Sequence, residues 1–380
     1  MHCSLATVSA GLDLVAAALR DPNITQSWSA TQWTVLLQQA RFSGLLGRVG
    51  ARYREVLGTH FPLPAPVAGH LQAAERVCAA QHAEIHREVR YIERALATLD
   101  APVVLLKGAA YVMTGLPAAA GRVFSDIDIM VPKRELASAE ALLTQHGWMC
   151  DHHSTYYQRY YREWMHELPP MHHVQRGTVL DVHHTILPET ARLRPAPAQL
   201  FAQAVPLAGS PHLHVLSPTD MLLHSMTHLF MNDDMSHALR DLSDLDLLLR
   251  HFARSPDFWP SLVDRAVTLD LMRPLFYGLR YTSRVWNTKI PPSVMQQARV
   301  HGPPAPLSVL MDNIWMRVLR SPHASAAPAL QGVALWALFV RGHWLRMPPL
   351  LLARHLAVKA LGLEPALPAG TDARTEPKGG

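Results

Sequence analysis

Residues 124–131 constrain the fold of this chain most, because two carboxylates interrupt an otherwise apolar, strand-like run. Side chains of a β-strand alternate between faces, so Asp126 and Asp128 are expected to share one face while Ile127 and Ile129 take the other. Two like charges on a largely buried strand are costly without compensation. A divalent cation would remove that cost, and oxygen ligands favour Mg²⁺ or Mn²⁺. The alternative is an edge strand with a solvated polar face.

A short apolar run precedes this segment. Residues 102–106 are bounded by Pro and Gly and predict a buried strand that ends in Lys107-Gly108. A short helix is expected over 109–114. Glycine lets the backbone approach a phosphate, the start of a helix attracts one, and Lys107 would add a positive charge.

A third predicted strand supplies another acidic residue. Residues 178–184 alternate, with Asp181 and His183 on one face. Asp181 would complete a cluster of three carboxylates with Asp126 and Asp128, and His183 would join it as a phosphate or substrate contact.

The rest of the chain is mostly helical in pattern. Residues 5–100 predict helices, with Thr31 as one N-cap and a long helix, straight or bent, over about 66–99. A strand is expected over 123–131, a helix over 135–146, β-structure over 155–161 and a connecting segment over 188–218. Later helices are expected from Ser217 or Thr219 onward and over 238–251, 258–285, 292–300, 305–320 and 328–345. The predicted domains are an N-terminal helical region (1–100), a central sheet domain (101–190), a C-terminal helical domain (191–365) and a disordered tail (366–380).

Composition narrows the class of protein. Charged residues make up 17% of the chain against a usual value of about 25%, which favours large buried cores. The net charge of +5 suits an anionic substrate, but no Lys/Arg run marks a nucleic-acid surface. The three cysteines, Cys3, Cys78 and Cys150, are odd in number and far apart, so neither a disulfide framework nor a cysteine zinc site is expected.

The small number of cysteines predicts a protein of the reducing cytoplasm. The N-terminus shows no signal peptide. The apolar stretch 330–340 is shorter than the roughly 20 residues of a membrane span, so a core helix is preferred over a membrane-surface contact.

Five motifs together resemble the nucleotidyltransferase superfamily whose palm is like that of DNA polymerase β. More narrowly, they resemble the poorly characterised bacterial nucleotidyltransferase family proteins, over about residues 100–250. The motifs are Leu105-Leu106-Lys107-Gly108-Ala109-Ala110, Arg122-x-x-Ser125-Asp126-Ile127-Asp128, Leu180-Asp181-Val182-His183, Leu223-His224-x-x-x-His228-Leu229 and Leu239-Arg240-Asp241-Leu242-Ser243-Asp244-Leu245. Lys107-Gly108 stands where the wider superfamily carries a Gly-Ser pair, so the grip on phosphate must differ in detail.

The resemblance implies an α+β fold: a polymerase β-like palm, built on a small mixed sheet with helices, flanked by N- and C-terminal helical regions. It also implies a Mg²⁺- or Mn²⁺-dependent enzyme that moves a nucleotidyl, or alternatively a phosphoryl, group from an NTP to a hydroxyl by a two-metal mechanism. The acceptor would be a small molecule, peptide or protein rather than a long nucleic acid.

Each candidate residue has an implied role. Asp126, Asp128 and Asp181 would hold the metals, with Asp181 also assisting deprotonation of the acceptor. Lys107, Gly108 and Ser125 would contact phosphates. Arg122 would offer a forked charge to a phosphate or brace Asp126, with a loop salt bridge as the alternative.

Two other functions remain open at this point. A non-catalytic nucleotide-binding protein would keep the palm and lose turnover. A histidine-based metallohydrolase would be built on His224 and His228, which lie four apart on one helix face, although no third ligand is obvious.

Overall fold

The structure is a computed structural model that describes residues 13–58, 63–150, 158 and 160–348. Within these ranges the α-helices are α1 (Leu14–Arg20), α2 (Ala30–Phe42), α3 (Leu46–Leu57), α4 (Ala65–Ala95), α5 (Lys107–Met113), α6 (Leu136–Gln145), α7 (Pro197–Ala202), α8 (Pro218–Met231), α9 (Ala238–Phe252), α10 (Phe258–Thr268), α11 (Met272–Trp286), α12 (Pro292–Val300), α13 (Ala305–Val318) and α14 (Gln331–Arg346). The strands are β1 (Val103–Leu105), β2 (Ile127–Met130), β3 (Trp148–Cys150), β4 (Met171–His173), β5 (Val179–His183), β6 (Val205–Pro206) and β7 (Leu213–Val215). The α+β class and the helix-flanked sheet are confirmed.

The strands form one mixed sheet in the order β3-β4-β5-β2-β1-β7-β6. Its centre is β2, which pairs antiparallel with β1 and parallel with β5. The register of the parallel pair sets Asp128 directly beside Asp181. The sheet therefore brings together two carboxylates that are far apart in sequence.

The N-terminal region is helical, and α4 is continuous from Ala65 to Ala95 rather than broken. Helix α2 is capped by Ser29 instead of Thr31. The Ser29 hydroxyl accepts the backbone N–H of Gln32, and the Gln32 side chain returns to the Ser29 N–H. This reciprocal capping box satisfies two free helix-end donors, which a cap at Thr31 would leave open.

The prediction of a purely connecting segment over 188–218 is wrong. That segment contains α7, β6 and β7, and β7 extends the sheet by pairing parallel with β1. Its inward residues Leu213 and Val215 are buried. Three residues are too few for an alternation signal, so the neighbouring prolines dominated the pattern.

The C-terminal helices follow the sequence prediction, with two differences. Residues 258–285 are two helices, α10 and α11, because the chain turns at Asp270, whose φ is 56°. Helix α14 buries only one side, through Ala334 and Leu338, while Trp336 is 66% exposed. The core-helix interpretation therefore holds for one face only.

One hydrophobic core runs from Leu14 to Leu338 and includes residues of the N-terminal, central and C-terminal regions. The domain boundaries at 100, 190 and 365 stay a prediction. No helix in the described ranges is long and apolar enough to cross a bilayer. Within the described residues, neither Cys78 nor Cys150 forms a disulfide. Cys3, the tail 366–380 and most of the predicted β-segment 155–161 lie outside the described residues; its last two residues begin a π-helical turn.

Candidate active site

Asp128 lies inside β2 and is almost fully buried, whereas Asp126 precedes the strand and is partly exposed. The predicted strand 123–131 is thus shorter at its start, and Asp126 belongs to the loop that enters it. The Ser125 hydroxyl donates to the Asp126 carboxylate at 3.1 Å. Asp181, in β5, completes the group that the sequence predicted.

Two basic side chains compensate the buried charge of Asp128. Lys107 Nζ lies 2.9 Å and His183 Nε2 3.0 Å from the same oxygen, Asp128 Oδ1. Burial alone raises the pKa of Asp128, but Lys107 and His183 outweigh it and hold the pKa well below its ordinary value. Asp128 is therefore a charged carboxylate at neutral pH.

His183 joins Asp128 to a further acid, Glu167. His183 Nδ1 lies 3.2 Å from Glu167 Oε2, and residue 167 forms an isolated β-bridge with residue 183. Burial opposes protonation of His183, but Glu167 and then Asp128 favour it, and the net effect raises the pKa of the imidazole. The structure thus brings His183 to two carboxylates.

The other two aspartates have the opposite electrostatic environment. Burial, followed by repulsion from Asp128 and Glu167, raises the pKa of Asp181 to about 7. Burial and then Asp128 also raise the pKa of Asp126. Asp181 Oδ1 is buried without a hydrogen-bond partner among the described residues. The carboxylate oxygens at this site outnumber the hydrogen-bond donors that the described residues supply. Such a site favours a bound cation.

The Lys107-Gly108 turn is built tightly. The backbone of Lys107 has a φ of 41°, a left-handed conformation that costs a non-glycine residue roughly 1–2 kcal/mol. A Cβ on Gly108 would lie 2.2 Å from the Phe124 ring. Gly108 is therefore required for packing under Phe124. The strained turn aims Lys107 at Asp128, and such strain is concentrated at functional sites.

Two cavities have Asp126 and Asp128 in common. The larger, of about 330 Å³, extends toward Arg122, Ser125 and Arg240. The smaller, of about 200 Å³, extends toward Glu167, Asp181 and His183. Both are lined by Lys107, Asp126, Asp128, His228 and Asn232. Asp126 and Asp128 thus stand between two spaces, and Asp181 faces the smaller one.

Arg122 lines the larger cavity but its ion pairs are made with helix α9. It pairs with Asp244 and lies 3.7 Å from Asp241, and its guanidinium sits 5.0 Å above the Phe124 ring. Arg48, from α3, pairs with the other oxygen of Asp244 at 2.6 Å. Burial, followed by repulsion from Arg240, lowers the pKa of Arg122 to about 10. Arg122 therefore makes the salt bridges that the alternative interpretation expected. It also lines the larger cavity, where a phosphate could contact it.

His224 and His228 do not sit in a metal-ligand cluster of the described residues. His224 is buried, and His228 lines both cavities. Lys107, followed by burial, lowers the pKa of His228 to about 3, so it is neutral. The group whose ligand atoms lie within 4.8 Å of one another is instead His166, Glu167 and His183.

Sequence reasoning missed Glu167, His166 and Arg48. Glu167 and His166 lie in an irregular segment without strand or helix periodicity, and only the bridge to residue 183 brings them to the site. Arg48 is 196 residues from Asp244, and one basic residue on an amphipathic helix gives no signal of a distant partner.

No curated protein matches this chain significantly. A family model described as an uncharacterised nucleotidyltransferase matches residues 29–287, which is more than half of the chain. That range includes the whole acidic site, both adjoining cavities except for Arg346, and helix α9. The chain therefore belongs to this uncharacterised nucleotidyltransferase family.

Proposed function

We propose that this protein transfers a nucleotidyl group from an NTP to a hydroxyl group of a small-molecule, peptide or protein acceptor. The observation that carries the proposal is that Asp126 and Asp128 line two adjoining cavities, while Asp181, beside Asp128 in the sheet, lines the smaller of them. A transferase for two substrates needs a space for each on either side of the reacting atoms.

The aspartates fit a divalent cation. Asp181 Oδ1 is buried without a described partner, and Asp126 has one described side-chain bond, to Ser125. Asp126, Asp128 and Asp181 would hold Mg²⁺ or Mn²⁺, because hard oxygen donors prefer these ions. When bound, the metal supplies charge neutralisation of the triphosphate and of the oxygens that gain charge during transfer.

The larger cavity suits the nucleotide. Lys107 and Arg122 stand on its wall as fixed positive charges, and Ser125 offers a hydroxyl to a phosphate. Lys107 is held by Asp128 at 2.9 Å, so its ammonium is oriented before a substrate arrives. Gly108 keeps Phe124 packed against the turn and so maintains the position of Lys107.

The smaller cavity suits the acceptor hydroxyl. Asp181 lines it, and its buried Oδ1, which has no hydrogen-bond partner among the described residues, is an acceptor for the hydroxyl proton. In the proposed step the hydroxyl oxygen bonds to the α-phosphorus, pyrophosphate leaves, and the hydroxyl proton passes to Asp181. His183, between Glu167 and Asp128, fixes the orientation of Asp128.

Replacing Lys107 with Met is expected to lower kcat/KM for the NTP by about 10²-fold, because one charge-assisted contact is worth about 1.5–3 kcal/mol. Steady-state kinetics with varied NTP would measure the effect. Lys289→Met is the matched control, since Lys289 is exposed and lies away from both cavities. Equal kcat/KM in the two variants would remove Lys107 from the nucleotide site.

Stability without metal is expected to depend on pH through Asp181. Its pKa is about 7 in the folded chain against 3.8 as its ordinary value, so the stabilisation is complete below pH 3.8 and lost as pH rises through 7. The expected loss between pH 4 and pH 8 is on the order of 4 kcal/mol relative to Asp181→Asn. Urea denaturation at each pH, without and with Mg²⁺, would measure it. Mg²⁺ should stabilise the wild type more at pH 8 than at pH 5; parallel pH profiles of both proteins would contradict the assignment.

Calorimetric titration with ATP tests the proposed site itself. Mg²⁺ is expected to strengthen ATP binding at least ten-fold in the wild type and to have no effect in a variant with Asp126→Asn and Asp181→Asn. ATP affinity that ignores Mg²⁺ in the wild type would overturn the proposal.

A further inference from the structure

A further cavity, of about 460 Å³, lies outside the aspartate site between α1, α3, α9 and α11, and arginines dominate its charge. They are Arg20, Arg48, Arg52, Arg250 and Arg254. The carboxylates in its lining are Glu55 and Asp246. The cavity therefore carries a positive excess.

Pairing within the described residues leaves two of these guanidiniums without partners. Arg52 lies 2.9 Å from Glu55, and Arg250 lies 2.7 Å from Asp246. Arg20 and Arg254 are exposed, and their side chains have no hydrogen bond or ion pair to any described residue. Two exposed guanidiniums in one lining supply the positive charge and the paired donors that a phosphate monoester needs.

The inner wall of the cavity separates it from the aspartate site. Arg48 is buried and bonds to Ser243 and Asp244, which are consecutive in α9. Arg48 and Ser243 line the arginine cavity, whereas Asp244 and its second partner Arg122 line the larger aspartate cavity. The two spaces lie on opposite sides of this ion-paired wall, so the arginine cavity is not an extension of the site already described.

The remaining lining is apolar and aromatic. Trp286 is 4% exposed, and Leu19 and Leu247 stand with it. A flat ring would pack against the edge of the Trp286 indole and the two leucines.

We propose that this cavity binds a small phosphate monoester attached to a flat aromatic group, with Arg20 and Arg254 holding the phosphate and the ring beside Trp286. The site is independent of the proposed transfer reaction. It requires neither the aspartates nor Lys107.

Phenyl phosphate is the probe, and calorimetric titration of the full chain measures its binding. Arg20→Gln with Arg254→Gln is expected to weaken binding at least ten-fold. The matched control is Arg90→Gln with Arg299→Gln, which removes two exposed arginines that line none of the cavities described above and have no described side-chain partner. Lys107→Met is expected to leave binding to this cavity unchanged. Inorganic phosphate and benzoate, which each lack one part of the ligand, should bind at least ten-fold more weakly than phenyl phosphate.

Four results would overturn the proposal. They are no binding to the wild type at millimolar phenyl phosphate, equal binding by the Arg20/Arg254 variant, equal loss in the control variant, and loss of all binding in Lys107→Met. The last would place the probe in the aspartate site. Because all four substituted arginines are exposed, circular dichroism should show the same fold in both double variants.

Discussion

Asp126→Asn is expected to lower transfer activity by about 10³-fold or more while leaving the fold intact, because a metal contributes several kcal/mol of transition-state stabilisation. Asp126 precedes β2, is partly exposed and makes one described side-chain bond, to Ser125. The substitution keeps the shape of the side chain and removes its charge. Activity with saturating NTP and Mg²⁺ would be compared with the melting temperature of the metal-free protein.

Asp128→Asn provides a contrast within the same site. It should lose activity as well, but it also leaves Lys107 and His183 without their shared carboxylate, so its stability should fall. The exposed Asp264, which lines neither aspartate cavity, gives a control for loss of one charge. Full activity in Asp126→Asn would contradict the assignment, as would an equal loss in Asp264→Asn.

Asp244→Asn is expected to give the largest loss of stability, about 3–5 kcal/mol, because it leaves two buried arginines without their shared counter-charge. Arg48 is 5% and Arg122 8% exposed, so water cannot replace the carboxylate at either guanidinium. The midpoint of urea denaturation would measure the change.

The control for this change lies nearby in the chain. Asp234 is exposed and bonds to Ser236, so Asp234→Asn should change stability by less than about 0.5 kcal/mol. If Asp244→Asn denatured at the wild-type urea concentration, the Arg48–Asp244–Arg122 group would not be the structural link between α3, the loop before β2 and α9.

The parts of this site that the sequence predicted share a local signal. Asp128 and Asp181 stand within short apolar strands, and the register of β2 with β5 sets them side by side. Lys107 was predicted from the turn after β1, and it does lie at the acidic site. Its neighbour Gly108 was assigned to phosphate approach, but packing under Phe124 also requires it.

What the sequence did not predict depends on contacts between distant segments. Glu167 reaches His183 through an isolated bridge from an irregular segment, and no periodic pattern marks it. Strand β7 is three residues long, so burial against β1 rather than alternation determines it. Asp244 stands in the motif over residues 239–245, but nothing in that motif indicates its partner Arg48, which lies on a helix of the N-terminal region.

Transfer of label from NTPs tests the central claim most directly. Cell extract with the purified protein and Mg²⁺ would receive ATP labelled at the α- or the γ-phosphorus, and small molecules and proteins would be resolved by mass spectrometry. The account predicts that α-label, with the nucleoside attached, enters an acceptor with the wild type and not with Asp126→Asn. Entry of γ-label alone would show phosphoryl transfer and contradict the account. Tight binding of Mg²⁺–ATP without transfer of either label, with all four NTPs tried, would do the same and favour a protein that binds nucleotide without turnover.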